Sequence, residues 1–258
     1  NNSLDFSLFL SANDFKTFSM GSDSPVHDES FLSRQYAEFL ETKHYTVEMN
    51  AKNSLEALEK AVIAAGEPLG DFSILPTWQL SKLASSRVTV ALSGDGGDEL
   101  FFGYERFRSI AKNHWLWPFP YPVRYLVRGV DRLFVHDKYV NECVLAKTPG
   151  EAHFGLHSRF PIGLLMQLLP DLDNISFPKE YSTYEYPHPK NRDELLHLIR
   201  RAEFYGMLQK TLAKVDRASM AHGLEVRVPF LKKTMIEKVV TMEISVHQPM
   251  KERKKILK

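Results

Sequence analysis

The stretch VTVALSGDGGDELFFGY, Val88 to Tyr104, decides the fold. Its first five residues, Val88 to Leu92, are apolar, β-branched and unbroken, which suits a strand buried on both faces of a sheet. Three glycines follow at once, Gly94, Gly96 and Gly97, giving a loop whose backbone can approach a ligand closely and adopt positive φ. DELFFGYERF then opens a helix at Asp98, with free N–H groups turned toward the loop. Strand, glycine loop and helix start together form an anion site at the carboxyl end of a strand, where open α/β sheets place ligands. Asp95, Asp98 and Glu99 would repel a bare phosphate. Magnesium, which takes one or two carboxylates plus phosphate oxygens, resolves that conflict. A plain turn competes with this magnesium–polyphosphate site. A calcium loop fits less well, because the preceding strand and the short spacing are not those of an EF-hand.

Outward from this stretch, strands and helices alternate on the N-terminal side. FKTFSM (Phe15 to Met20) predicts a strand broken at Gly21, and Asp28 caps a helix running to about Lys43, with Leu32, Tyr36, Phe39 and Leu40 as its apolar stripe. YTVEM (Tyr45 to Met49) predicts a second strand. Ser54 opens an amphipathic helix stopped by Gly66, and a further helix spans Ile74 to Ser85. This alternation predicts a parallel sheet with helices on both sides. Beyond Arg106 no strong strand recurs, and helices separated by prolines and aromatics predict a helical half. SFPKEYSTYEYPHPK (Ser176 to Lys190) is too rich in proline and polar residues for a helix and predicts a surface loop.

The 258 residues are 43% hydrophobic and 12% aromatic, enough for a substantial core. Lysine plus arginine (33) almost balance aspartate plus glutamate (32), so no global field favours nucleic acid. A single cysteine, Cys143, excludes an internal disulfide framework and a multi-cysteine zinc site, and fits a reducing compartment. No apolar run reaches the ~20 residues of a membrane span, and the N-terminus lacks signal-peptide features. A cytoplasmic location with no membrane partner is the expectation.

Two C-terminal segments carry dense charge. In LAKVDRASMAHGLEVRVPFL, the alternation of Leu224, Val226 and Val228 predicts an extended, half-buried segment whose charges must pair. Arg217 and Glu225 read equally as structural ion pairs or as substrate contacts. PMKERKKILK reads as a solvated basic helix, or as a segment aiming a lysine at a polyphosphate.

The loop SGDGGDELF-GY, the cassette KVDRASMAHGLEVRVPFL and the lysine-led PMKERKKIL occur in this order and at similar intervals in a known family. The chain resembles the synthetase domain, of ATP-pyrophosphatase type, of glutamine-dependent asparagine synthetases, with β-lactam synthetase as a near relative. FSMG and DESFLSRQYAEFL are similar to that family's second strand and helix. The resemblance implies an α/β fold of the adenine nucleotide alpha hydrolase-like kind, parallel sheet flanked by helices over 1–112, and an all-helical half over 113–258. Residues 1–258 would then be one incomplete domain lacking its first strand and the upstream glutaminase domain, and cut at the far end. Where the family has the phosphate loop SGGxDSS, this chain has NNSLDFS. Asn2 and Ser3 place side chains where glycines let N–H groups wrap a pyrophosphate. Phe102, where glycine is usual, and Lys232, where aspartate commonly follows PFL, depart as well.

By this resemblance the cofactors are ATP and Mg2+, and the reaction is adenylation of the aspartate side-chain carboxylate, then attack by ammonia from a glutaminase domain. Asp5 and Asp98 would hold magnesium. Lys251 would contact the phosphates, with Lys254 either its support or simply exposed. Asp95 would serve in forming or using the intermediate. Met20, Ser93 and Gly94, with Gly96 and Gly97 of the loop, would bind the nucleotide, and Glu99 and Tyr104 would stand behind them. The partners implied are small molecules, with a homodimer admitted. A remnant that binds nucleotide or a partner without turnover, and a ligase for another carboxylate, remain alternatives. Replacing Asn2 and Ser3 with glycine is expected to raise ATP affinity, measured by calorimetry; unchanged affinity would refute crowding of the loop.

Overall fold

In the computed structural model the described residues are 14–23, 28–120, 122–124, 146–157, 168–169, 179–186 and 188–258. The segment KTFSMGS forms β1 (Lys16–Ser22), and HYTVEM with Lys43 forms β2 (Lys43–Met49). The two pair in parallel, in register from Lys16 opposite Lys43 to Ser22 opposite Met49, with helix α1 (Ser30–Phe39) as the crossover that parallel pairing requires. Alternation puts Thr17 and Ser19 on one face, where their hydroxyls lie 2.9 and 3.0 Å from the two ring nitrogens of His44. Phe18 and Tyr45, one step out of phase, stack at 5.7 Å. The strand does not break at Gly21. That residue stands opposite Glu48, and a Cβ there would lie 2.5 Å from its carboxylate oxygen. Glycine here admits a side chain from the neighbouring strand.

Asp28 accepts hydrogen bonds from the Ser30 N–H and hydroxyl at 3.0 and 3.1 Å, closing the start of α1. The helix ends at Phe39 rather than Lys43, because Glu41 turns to positive φ (53°) and Lys43 already pairs in β2. Its expected apolar stripe lies in solvent: Leu32, Tyr36, Phe39 and Leu40 are all exposed, and Ala37 is the buried apolar position. Helix α2 (Ala51–Ala65) begins before Ser54, since Asn50 and Asn53 form a reciprocal capping box, and ends at Gly66 with φ 72°. Helix α3 (Ile74–Ser85) spans the expected residues. Ala57, Ala61, Ala65, Ile74, Trp78 and Ala218 form the core of this unit.

Val90–Leu92 form β3, which pairs in parallel with β4 (Glu225–Arg227). The C-terminal cassette thus supplies a strand, and among the described residues the second half is helical apart from it. β3 is not buried on both faces: Val90 is 39% and Leu92 72% exposed. Among the described residues the strands form two separate two-stranded sheets, β1–β2 and β3–β4, so β3 has a neighbour on one edge only. Parallel strands flanked by helices, with a helical remainder, remain the fold class.

The chain divides into a unit of residues 1–93 with 211–229 and a second of 94–210 with 230–258. The second contains α4 (Gly97–Leu100), α5 (Glu105–Lys112), α6 (Pro149–His157), α7 (Arg192–Tyr205), α9 (Lys233–Thr241) and α10 (Ile244–His247). The long helical run after Asn191 is broken at Gly206 into α7 and α8 (Met207–Met220). A Cβ at Gly206 would lie 2.6 Å from the Tyr184 hydroxyl. Phe102, Phe107, Ile110, Leu195, Leu196 and Ile199 anchor the core of the second unit. Within the expected surface loop at 176–190, Lys179–Tyr184 form a 3-10 turn and Tyr186 joins the core. Asp5, the NNSLDFS segment and Cys143 lie outside the described residues. Among the described residues no helix is long and apolar enough to cross a membrane.

Lys232 sits at the N-cap of α9 and makes no capping hydrogen bond. Lys232→Asp supplies an acceptor and removes a cation from the positive end of the helix, and is expected to stabilise the protein by about 1 kcal/mol. Thermal unfolding followed by circular dichroism should show a Tm rise of roughly 2–4 °C; an unchanged or lower Tm would contradict the capping account.

Candidate functional site

The glycine loop leads into a helix of a single turn. Gly97 N–H bonds to the Gly94 carbonyl at 3.2 Å, and α4 follows from Gly97 to Leu100. The longer helix expected from Asp98 is interrupted because Phe102 takes up positive φ (57°). Four residues carry little macrodipole, so the loop's capacity for an anion rests on its backbone and nearby cations, not on a helix end. Two loop glycines have steric reasons. Gly96 has φ 82° and a Cβ there would lie 2.6 Å from Leu231 Cδ2. Gly97 faces the ring of Phe230, 3.3 Å from where a Cβ would be.

Asp98 Oδ1 meets Lys254 Nζ at 2.9 Å. Both side chains are about one third exposed (34 and 36%), so the pair is tight yet open to a ligand. Gly103 makes the approach feasible: a Cβ there would collide with Asp98 Oδ1 and lie 2.5 Å from Lys254 Cε. The cation at Asp98 is therefore Lys254, which the sequence places as an auxiliary of Lys251. Lys251 is exposed and makes no ion pair among the described residues, its N–H bonding to the Gln248 carbonyl at 2.9 Å. Lys254 has positive φ (51°), a turn that directs this lysine rather than its neighbours.

Glu99 and Tyr104 form a buried layer behind the loop. The Tyr104 hydroxyl donates to Glu99 Oε1 at 2.8 Å. Burial pushes the Glu99 carboxyl up, against the pull of the Tyr104 hydrogen bond. Burial and the Glu99 carboxylate push the Tyr104 hydroxyl up as well. Arg106 stacks on the Tyr104 ring at 3.6 Å and reaches Glu203 through two parallel bonds of 2.7 and 2.8 Å. Glu203 is fully buried, and burial alone would favour its neutral form. Hydrogen bonds from His153, His157 and Arg106 outweigh this and hold its carboxyl well below the usual range. This second cluster escaped sequence reasoning, although the i, i+4 spacing of His153 and His157 in EAHFGLH was a visible signal.

The remaining expected residues separate between the units. Met20 in β1 and Ser93 after β3 belong to the first, and Ser93 N–H bonds to the Arg227 carbonyl at 2.9 Å. Gly94, Asp95, Gly96, Gly97, Asp98 and Lys251 belong to the second. Arg217 and Glu225 engage in structural pairs. Arg217 bonds the Ala65 carbonyl and Glu67, both at 2.7 Å, fastening α8 to the end of α2. Glu225 pairs with Arg227 at 2.7 Å on an exposed face.

A family model described as asparagine synthase matches residues 8–258. The chain is 27% identical over 233 residues, 86% of its length, to asparagine synthetase (glutamine-hydrolyzing) 1 of Bacillus subtilis, and covers 35% of that protein. It is 27% identical over 223 residues, 83% of its length, to a Mycobacterium bovis protein named "putative asparagine synthetase (glutamine-hydrolyzing)", covering 33% of it. Over 96 residues, 37% of the chain and 18% of the relative, identity to a like-named Methanocaldococcus jannaschii protein is 35%. The chain thus spans about a third of the length of the first two. With parallel β-strands, a glycine loop ending in a carboxylate–lysine pair and a match across nearly every residue, the chain belongs to the asparagine synthase family.

Proposed function

We propose that the chain is the ATP-using, amide-forming part of an asparagine-synthetase-type ligase. One observation supports this above others: Asp98 and Lys254 are held 2.9 Å apart, partly open to solvent, beside the SGDGG loop. Such a pair offers an acidic group for a divalent cation and an ammonium for phosphate oxygens in one place. Magnesium fits this donor set, since a partly exposed carboxylate together with phosphate oxygens is its usual environment. Asp98 would hold it; when bound, it would neutralise charge on the pyrophosphate leaving group.

In the proposed reaction, a carboxylate oxygen of the aspartate substrate attacks the α-phosphorus of ATP, and the bond to pyrophosphate breaks. Ammonia then attacks the acyl carbon, the acyl–oxygen bond breaks, and AMP leaves with that oxygen. Lys254 neutralises phosphate charge beside Asp98, and Lys251 supplies a second cation three residues upstream. Asp95 accepts a proton from the attacking nitrogen. Gly94 offers backbone groups to the nucleotide, while Gly96 and Gly97 keep side chains out of the phosphate path. The buried Glu99–Tyr104–Arg106 layer fixes the loop from behind, so that its donors need no rearrangement during transfer. Asparagine synthesis with glutamine hydrolysis is named for the relatives; aspartate as the acceptor acid and ammonia as the nucleophile follow from the family resemblance. A homodimer and a cytoplasmic setting belong to the same proposal.

Pyrophosphate release from ATP, magnesium, aspartate and ammonium tests this directly. Asp98→Asn is expected to lower the rate by roughly 100- to 1,000-fold, and Lys254→Met by a similar factor. ATP binding with no aspartate-dependent release by the unaltered protein would favour a nucleotide-binding remnant instead. Rates in both variants equal to that of the unaltered protein would remove the Asp98–Lys254 pair from the chemistry.

A further inference from the structure

Three potential ligand atoms converge inside the helical unit, away from the glycine loop. His153 and His157 project from successive turns of α6, and Glu203 comes from α7. The two Nε2 atoms are 3.3 Å apart, and each lies 2.7 Å from Glu203 Oε1. Arg106 Nε also lies 2.7 Å from that oxygen, which would make three N–H donors on one carboxylate oxygen. A carboxylate oxygen has two in-plane lone pairs, so this is one donor more than it accommodates well. The two imidazoles also crowd each other, each needing its proton on the same side.

A tetrahedral ion removes both conflicts. With metal–nitrogen and metal–oxygen bonds of about 2.0–2.2 Å, neighbouring ligand atoms sit about 3.3 Å apart. The histidine nitrogens already have that separation, and the carboxylate needs to withdraw by only about 0.6 Å. Two histidines and one glutamate form a common zinc donor set, and His at i and i+4 present both rings to one point. The surrounding contacts suit it as well. His153 Nδ1 lies 3.3 Å from the Tyr186 hydroxyl, which donates to the Pro149 carbonyl at 3.4 Å. With the Tyr186 proton on the Pro149 carbonyl, the Tyr186 oxygen can accept from a His153 Nδ1–H, the tautomer that leaves the Nε2 lone pair for a metal. Arg106 keeps its second bond to Glu203 Oε2 at 2.8 Å and fixes the carboxylate plane.

We infer that His153, His157 and Glu203 form a binding site for a zinc-like divalent ion that ties α6 to α7, separate from the magnesium proposed at Asp98. Binding transfers no electrons: each imidazole moves its proton from Nε2 to Nδ1 as the ion takes its place. The ion leaves one tetrahedral position for a water, since no other histidine, cysteine, aspartate or glutamate joins the group among the described residues.

Cobalt(II) titration of the chelator-treated full chain tests the site without reference to turnover. One equivalent should give the intense visible bands of tetrahedral cobalt, and zinc should displace it. His157→Gln, which retains a donor to Glu203 at the edge of the cluster, should weaken cobalt binding roughly 100-fold or more with an unchanged circular dichroism spectrum. Cobalt uptake that is absent, octahedral, or equal in His157→Gln and the unaltered protein would overturn the inference. If His157→Gln fails to fold, X-ray absorption of the unaltered protein with zinc decides. Two imidazole nitrogens with one or two oxygens at about 2.0–2.2 Å support the site, and an oxygen-only shell rejects it.

Discussion

A carboxylate and an ammonium 2.9 Å apart, Asp98 and Lys254, join the glycine loop to the far end of the chain. The approach works only because Gly103 has no Cβ to occupy the same space. Half-exposed ion pairs of this kind add little to stability, since water screens them and two long side chains lose freedom. The pair therefore adds little folding energy, and its proposed role is chemical. The buried layer behind is the opposite case. Glu203, Arg106 and the two histidines are costly to leave unpaired, so they fix the orientation of α5, α6 and α7. Through Arg106 and Tyr104 that orientation reaches Glu99, next to Asp98.

Local signals in the sequence were sufficient for several elements. Gly66 ends α2 in the left-handed region, and α3 occupies the span its periodicity predicts. Other features depend on partners distant in sequence. Gly21 reads as a strand breaker until Glu48 is seen across the register. VTVAL reads as a central strand, yet β3 has a described neighbour on one edge only, and Leu92 stays exposed. The apolar stripe of α1 likewise finds no cover. Capping by Asn50 was hidden because Ser54, a good cap by residue type, lies just downstream.

The candidate site was legible in the same uneven way. The glycines and acidic residues of SGDGGDEL suggest a cation–phosphate loop by chemistry alone, with a plain turn as the competing reading. Which of several lysines in PMKERKKILK meets Asp98 is decided by one left-handed turn at Lys254, which a basic stretch does not reveal. His153 and His157 carry a helix spacing that can be read, but their glutamate lies on another helix and their arginine on a third. Phe102 shows a conflict within the motif. It holds positive φ, which favours glycine, while its buried ring packs edge-on against Phe107 and His247. Core packing outweighs the backbone strain of roughly 1–2 kcal/mol there.

The central claim is that a substrate carboxylate oxygen becomes bonded to the α-phosphorus of ATP at the Asp98–Lys254 loop. Aspartate labelled with oxygen-18 in its side-chain carboxylate, supplied with ATP, magnesium and ammonium, follows that oxygen directly. The account predicts one labelled oxygen in the AMP released, and none in pyrophosphate. Label appearing in inorganic phosphate, or AMP formed without label, would contradict it.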